Sequence, residues 1–182
     1  MVKKPKKGIL VILLIVVGFA TAILGTQASE ETKFTISSHD DLVRGEEVTF
    51  TISGQSVEEF SSLILNIEYD TSVLEFANDY SFHLDSGPMT GLRNDVEGLL
   101  NLYVVSGSDA YISMNDGALI DITFKVKEDA KAGSHVISLT APDESYVKIH
   151  GTEQEVLLIS TESGTYFVNV PLDSVDIAKK NI

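Results

Sequence analysis

Between Thr32 and Val170 apolar and polar residues alternate in short runs, and a period of two puts every second side chain on one face of an extended strand. Ile120, Ile122, Phe124 and Val126 alternate with Asp121, Thr123 and Lys125, the pattern of a half-buried strand. Val48, Phe50 and Ile52 share a face until Ser53-Gly54. Leu63, Leu65, Ile67 and Tyr69 share another, with Ile64, Asn66 and Glu68 opposite. Further strands are expected near 33–37, 73–76, 99–105, 135–139, 147–149, 156–160 and 166–170. Turn residues separate the runs: Arg44-Gly45-Glu46, Ser86-Gly87-Pro88, Asn115-Asp116-Gly117, Lys131-Ala132-Gly133 and Ser163-Gly164. Residues 109–115 read as a loop or a brief helical turn. Many short strands with turns between them predict an all-β sandwich or barrel and exclude βαβ units.

The first residues follow another rule. Lys3, Lys4, Lys6 and Lys7 precede an uncharged, mostly apolar run from Gly8 to Gly25, and Glu30-Glu31 follow. These are the parts of an export signal, with small residues at Thr26-Gln27-Ala28 for cleavage after Ala28. The run is also just long enough to span a bilayer with the lysines inside. Residues 1–28 are therefore a signal peptide or an N-terminal membrane anchor held by residues 8–25. Both place residues 32–170, one domain, outside the cytoplasm, secreted or at the cell surface. Residues 171–182 read as a short C-terminal tail.

The net charge of −14 moves to about −18 without residues 1–28, which hold four lysines and no acid. Such a surface repels nucleic acid and anionic lipid and suits a basic partner or calcium-rich surroundings. The chain has no cysteine, which excludes disulfides, zinc–thiolate sites, a thiol nucleophile and a lipidated cysteine.

Catalytic chemistry is hard to find. His39, His83, His135 and His150 are scattered without metal-ligand spacing. Neither a His-Glu-x-x-His, a Gly-x-Ser-x-Gly nor a phosphate loop is present. Glu46-Glu47 and Glu58-Glu59 are neighbours, which in a strand point to opposite faces and cannot flank one glycosidic bond. His39-Asp40-Asp41 reads as a solvated acidic loop. No calcium loop of the EF-hand kind begins at Asn115-Asp116-Gly117. Neither enzyme activity nor a cofactor is expected.

Two segments carry a family likeness. Leu63 to Phe76 ends a strand in Tyr69-Asp70 and continues two residues later with Val73-Leu74-Glu75. Asn115 to Lys127 joins an Asp-Gly turn to a core strand; Ala130-Lys131-Ala132-Gly133 follows, and Gly164 with Phe167-Val168-Asn169-Val170 closes the chain of motifs. Together they resemble the cohesin family. The resemblance implies a jelly-roll β-sandwich of about nine strands, cohesin-like, that is non-catalytic. It implies capture of a dockerin, a small module whose paired loops hold calcium on the partner's side, within assemblies that degrade polysaccharide. It puts partner-binding residues at Ser62, Ile64, Asn101, Val104 and Gly107. The best-known class tends to carry Asn, Asp, Leu and Glu at the first four, so only Gly107 agrees, and the fold transfers better than the partner code. With Leu63, Leu65 and Leu102 turned to the core, Ile64 and Val104 are expected to be exposed. Two alternatives stand beside docking. One is a carbohydrate-binding module, which a row of coplanar tyrosines from among Tyr80, Tyr103, Tyr111 and Tyr146 would favour. The other is a structural or adhesion domain of the cell envelope.

Export has a direct measurement. Mass spectrometry of cell fractions is expected to find a chain beginning at Ser29, or the intact chain in the membrane. Intact chain soluble in the cytoplasm would contradict both forms of the reading.

Overall fold

The computed structural model describes residues 31–85, 87–107 and 110–169. The export segment 1–28 and the tail 171–182 lie outside the described residues. Among the described residues, no helix is long and apolar enough to cross a membrane.

Among the described residues thirteen strands run in chain order: β1 (Thr32–Ile36), β2 (His39–Leu42), β3 (Glu47–Gln55), β4 (Ser62–Glu68), β5 (Leu74–Phe82), β6 (Met89–Val96), β7 (Leu99–Val105), β8 (Gly117–Val126), β9 (Gly133–Thr140), β10 (Tyr146–His150), β11 (Glu153–Val156), β12 (Ile159–Glu162) and β13 (Gly164–Val168). They form two sheets. One has the order β12-β1-β3-β8-β5. The other runs β11-β10-β4-β9-β13-β2, with β7 beside β4 and β6 beside β7. The all-β sandwich is as expected; the strands exceed the ten segments read from the sequence by three, and the about nine implied by the family likeness by four.

The extra strands are those without a buried face. In β2 only Leu42 is buried, and the strand pairs parallel to β13 at a sheet edge. His39-Asp40-Asp41 is thus strand rather than loop. In β6 Gly91 interrupts the pattern and Leu92 alone packs against the core cluster. The segment expected at 156–160 divides into β11 and β12, which belong to different sheets. Residues 110–115 form no helical turn; Ile112 instead bridges Phe60.

The core lies between the sheets and is organised by rings. Phe124 of β8 meets Phe50 at 5.7 Å, Phe76 at 5.9 Å and Tyr69 at 4.9 Å between centroids. Phe50 continues to Tyr166 of the second sheet at 5.7 Å. At the other end Tyr146 of β10 packs on Phe34 of β1 and on Phe60. Tyr69 packs inward, as the motif implied, and the turn after it is tied by Asp70. The N–H groups of Val73 and Leu74 donate to the Asp70 carbonyl at 3.0 and 2.9 Å. The Ser72 hydroxyl and N–H donate to its carboxylate at 2.6 and 2.9 Å, holding that carboxyl below its ordinary range. Gly117 opens β8 at φ +143°, a backbone that L side chains rarely adopt, which is why the Asn-Asp-Gly turn ends in glycine.

One expectation is overturned. Val104 is fully buried. Leu100, Leu102 and Val104 are one step of two apart, so all three face the core together. Turning Leu102 inward and Val104 outward is impossible in one regular strand.

The register predicts a contrast between neighbours. Phe124→Ala should cost about 3–5 kcal/mol in urea unfolding, because it deletes a fully buried ring. Thr123→Ala, facing out from the same strand, should cost well under about 1 kcal/mol. Equal losses would show the register to be wrong.

A second expectation concerns alkali. The Tyr166 hydroxyl is buried with no hydrogen-bond partner among the described residues, and burial, helped by the Asp70 charge, pushes its pKa up to about 12. The unfolded chain releases that proton near pH 10. The neutral phenol therefore favours the fold below about pH 10, and this contribution is lost as pH rises toward 12. Tyr166→Phe should shrink the fall in melting temperature between those limits; an unchanged fall would assign it to other groups.

Candidate docking face

The outer face of the second sheet is built by strand parity. On β4, Leu63, Leu65 and Ile67 point inward, which turns Ser62, Ile64, Asn66 and Glu68 outward. On β7 the same rule turns out Asn101, Tyr103 and Val105. The antiparallel register then lays residues in rows across the strands. Met89, Val105, Ser62, Val147 and Val156 are successive partners across β6, β7, β4, β10 and β11. The next row is Gly91, Tyr103 and Ile64. The third is Arg93, Asn101, Asn66 and Thr140.

Each row has its own chemistry. The first is aliphatic apart from Ser62, and its two ends are open: Met89 is 68% exposed and Val156 52%. Ile64 extends that patch into the second row at 39% exposure. There Tyr103 lies flat across Gly91, so closely that any Cβ at position 91 would strike the ring. The Tyr103 ring in turn carries the Arg93 guanidinium, 5.6 Å from its centroid. In the third row the Asn101 amide donates to the Asn66 side-chain carbonyl at 2.7 Å. An apolar strip thus borders a fixed row of amide and guanidinium groups, the composition of a protein-contact surface.

The sheet forks along β4. Its first residues pair with β10 through Tyr146 and Val147, and its last with β9 through Ser138, Leu139 and Thr140. Between the two the chain of 141–145 leaves the sheet as a turn, tied back where the Ile64 N–H donates to the Ser145 carbonyl at 2.9 Å.

The structure brings Ser62, Ile64 and Asn101 onto this face, with Asn101 two rows from Ser62. Val104 does not belong to it, being part of the core. Gly107 is exposed beyond the end of β7, where the chain leaves the sheet after Ser106 donates to the Ser61 carbonyl. Arg93 and Met89 were missed because β6 itself was missed. Asn66 was within reach, since it shares Ile64's parity.

Other candidates sit elsewhere. The tyrosines make no row: Tyr80 is on β5 of the opposite sheet, Tyr146 is buried, and Tyr111 bonds to His150 beside Lys148. His39 contacts the Thr49 carbonyl at 3.0 Å and stands edge-on to Phe50. On the opposite sheet Asp121 accepts from Thr51 at 2.6 Å and meets His83 at 2.8 Å, with its carboxyl held low chiefly by the Thr51 bond. Glu46, Glu47, Glu58 and Glu59 are exposed. Among the described residues no three His, Asp or Glu side chains gather around a common point.

Comparison with known proteins follows the same lines. A family model described as the cohesin domain matches residues 32–157. Among solved structures, the seventh ScaB type I cohesin of Pseudobacteroides cellulosolvens is similar at 19% identity and a TM-score of 0.62, over 78% of this chain and 96% of that one. The sixth cohesin of the Acetivibrio cellulolyticus scaffoldin B, solved in complex with a Cel5 dockerin mutant, is similar at 17% identity and a TM-score of 0.63, over 76% and 99%. A non-cellulosomal cohesin of the archaeon Archaeoglobus fulgidus is similar at 16% identity and a TM-score of 0.57, over 79% and 94%. At these identities the likeness is one of fold. No curated protein matches.

Proposed function

The chain belongs to the cohesin-domain family, and on that premise we propose that it is a non-catalytic docking module that captures a dockerin-like partner on the outer face of β4, β6 and β7. The carrying observation is the strip of Met89, Val105 and Ile64 left open beside ordered polar groups on one sheet face. Apolar side chains in such a strip stay exposed at a cost in solubility that a covering partner removes. Ser62, Ile64, Asn101 and Gly107 keep the contact roles the family likeness implies, and Val104 supports them from beneath.

The setting is the outer side of the membrane, secreted or anchored by residues 8–25, in an assembly acting on polysaccharide. That part of the reading rests on the N-terminal pattern and on the family. Dockerin complexes such as the one solved for the Acetivibrio relative support the partner class. Sugar binding lacks the coplanar tyrosines it would need.

Capture from the organism's own secreted proteins, with and without a calcium chelator, tests the partner class. Chelation should unfold a dockerin and release it. Ile64→Lys combined with Met89→Lys should weaken capture at least tenfold, about 1.4 kcal/mol, with little change in melting temperature. Undiminished capture by the folded double variant would move the docking surface elsewhere.

A further inference from the structure

Arg93 stands out on the docking face. The chain has 27 acidic and 13 basic residues, and of the lysines and arginines among the described residues Lys33 and Lys148 are the ones in salt bridges. Lys33 is paired with Glu162, and Lys148 with Glu59 at 3.7 Å. Arg93 is exposed, yet among the described residues it has no carboxylate partner. It lies over the Tyr103 ring. That ring is set by Gly91 beneath it, and the residue across from Arg93 is Asn101, whose amide is already engaged with Asn66. The guanidinium is therefore held in place with its donors unspent, and bidentate capture of a carboxylate is the use its planar fork serves best.

We propose, resting on the docking reading above, that Arg93 determines partner specificity by taking a carboxylate, so the docking segment is acidic and apolar rather than basic. Two charge effects compete. The net charge of −14 attracts basic segments from a distance. That field is screened within about 8 Å at physiological salt, whereas a guanidinium–carboxylate pair acts at contact, near 3 Å. At that salt the contact term decides which segment stays. The geometry also sets a spacing. Arg93 and Met89 are four residues apart on β6, or about 13 Å at 3.3 Å per residue. A helix laid along β6 turns the same face to it every seven residues, about 10.5 Å at 1.5 Å each, and the long arginine and carboxylate side chains close the rest. The matching helix carries Glu or Asp seven residues from an apolar anchor.

Two stapled helical peptides of one sequence provide the test, with leucines along one face and, on that same face, either Glu or Lys seven residues from the first leucine. Full chain in neutral phosphatidylcholine nanodiscs is the receptor, empty nanodiscs are the reference, and salt is 0.15 M. The Glu peptide should bind at least tenfold tighter than the Lys peptide. Arg93→Gln should abolish that preference by weakening the Glu peptide alone, at unchanged melting temperature. Preference for the Lys peptide, or a Glu peptide that binds wild type and Arg93→Gln alike, overturns the role of Arg93 and leaves the docking face standing. If neither peptide binds, and the Ile64→Lys, Met89→Lys chain captures its partner undiminished, the docking reading and this inference fall together.

Discussion

Everything on the docking face depends on the ring contact between Phe124 and its neighbours. Phe124 gathers Phe50, Phe76 and Tyr69, and Phe50 passes the contact to Tyr166 across the sandwich. Each such pair contributes roughly 0.5–1.5 kcal/mol beyond the area it buries. The geometric effect matters as much. Tyr69 is the residue after β4, so the strand that centres the docking face is pinned at its end to the opposite sheet. Its N–H also donates to the Gly98 carbonyl in the turn between β6 and β7. One buried cluster thereby fixes which side of β4 faces out and where the hairpin beside it lies.

What was readable beforehand follows from which strands have a buried face. β3, β4 and β8 alternate because water lies on one side only, and their parity was read correctly down to Phe124 and Ile64. β2 and β6 lie at sheet edges, where there is little reason for polar and apolar residues to alternate, so both escaped notice. β7 was misjudged at Val104 for the opposite reason. Leu99 to Val105 is apolar or aromatic at every position but Asn101, so no period of two shows in its sequence. Its one amide held the answer: with Asn101 outward, Leu100, Leu102 and Val104 must all be inward.

The bulk charge and the site's own charge point in opposite directions. The acidic surface is spread over both sheets and loops, whereas the docking rows hold an aliphatic strip, two amides, a phenol and a guanidinium. Average charge describes solubility and long-range approach. The rows describe what remains bound once solvent is displaced. The first suits a basic partner, whereas the role proposed for Arg93 calls for an acidic one, and the two act at different distances.

The fork in β4 has an evolutionary side. Residues 141–145 leave the sheet between two pairings, with Ala141 packed on the core, Ser145 buried and a backbone bond from Ile64 to the Ser145 carbonyl. A lineage could lengthen or shorten this turn, reshaping the border of the face beside Ile64, while the strands and their rings stay as they are. The border of the face beside Ile64 and the ringed scaffold beneath it thus lie on separate stretches of the chain.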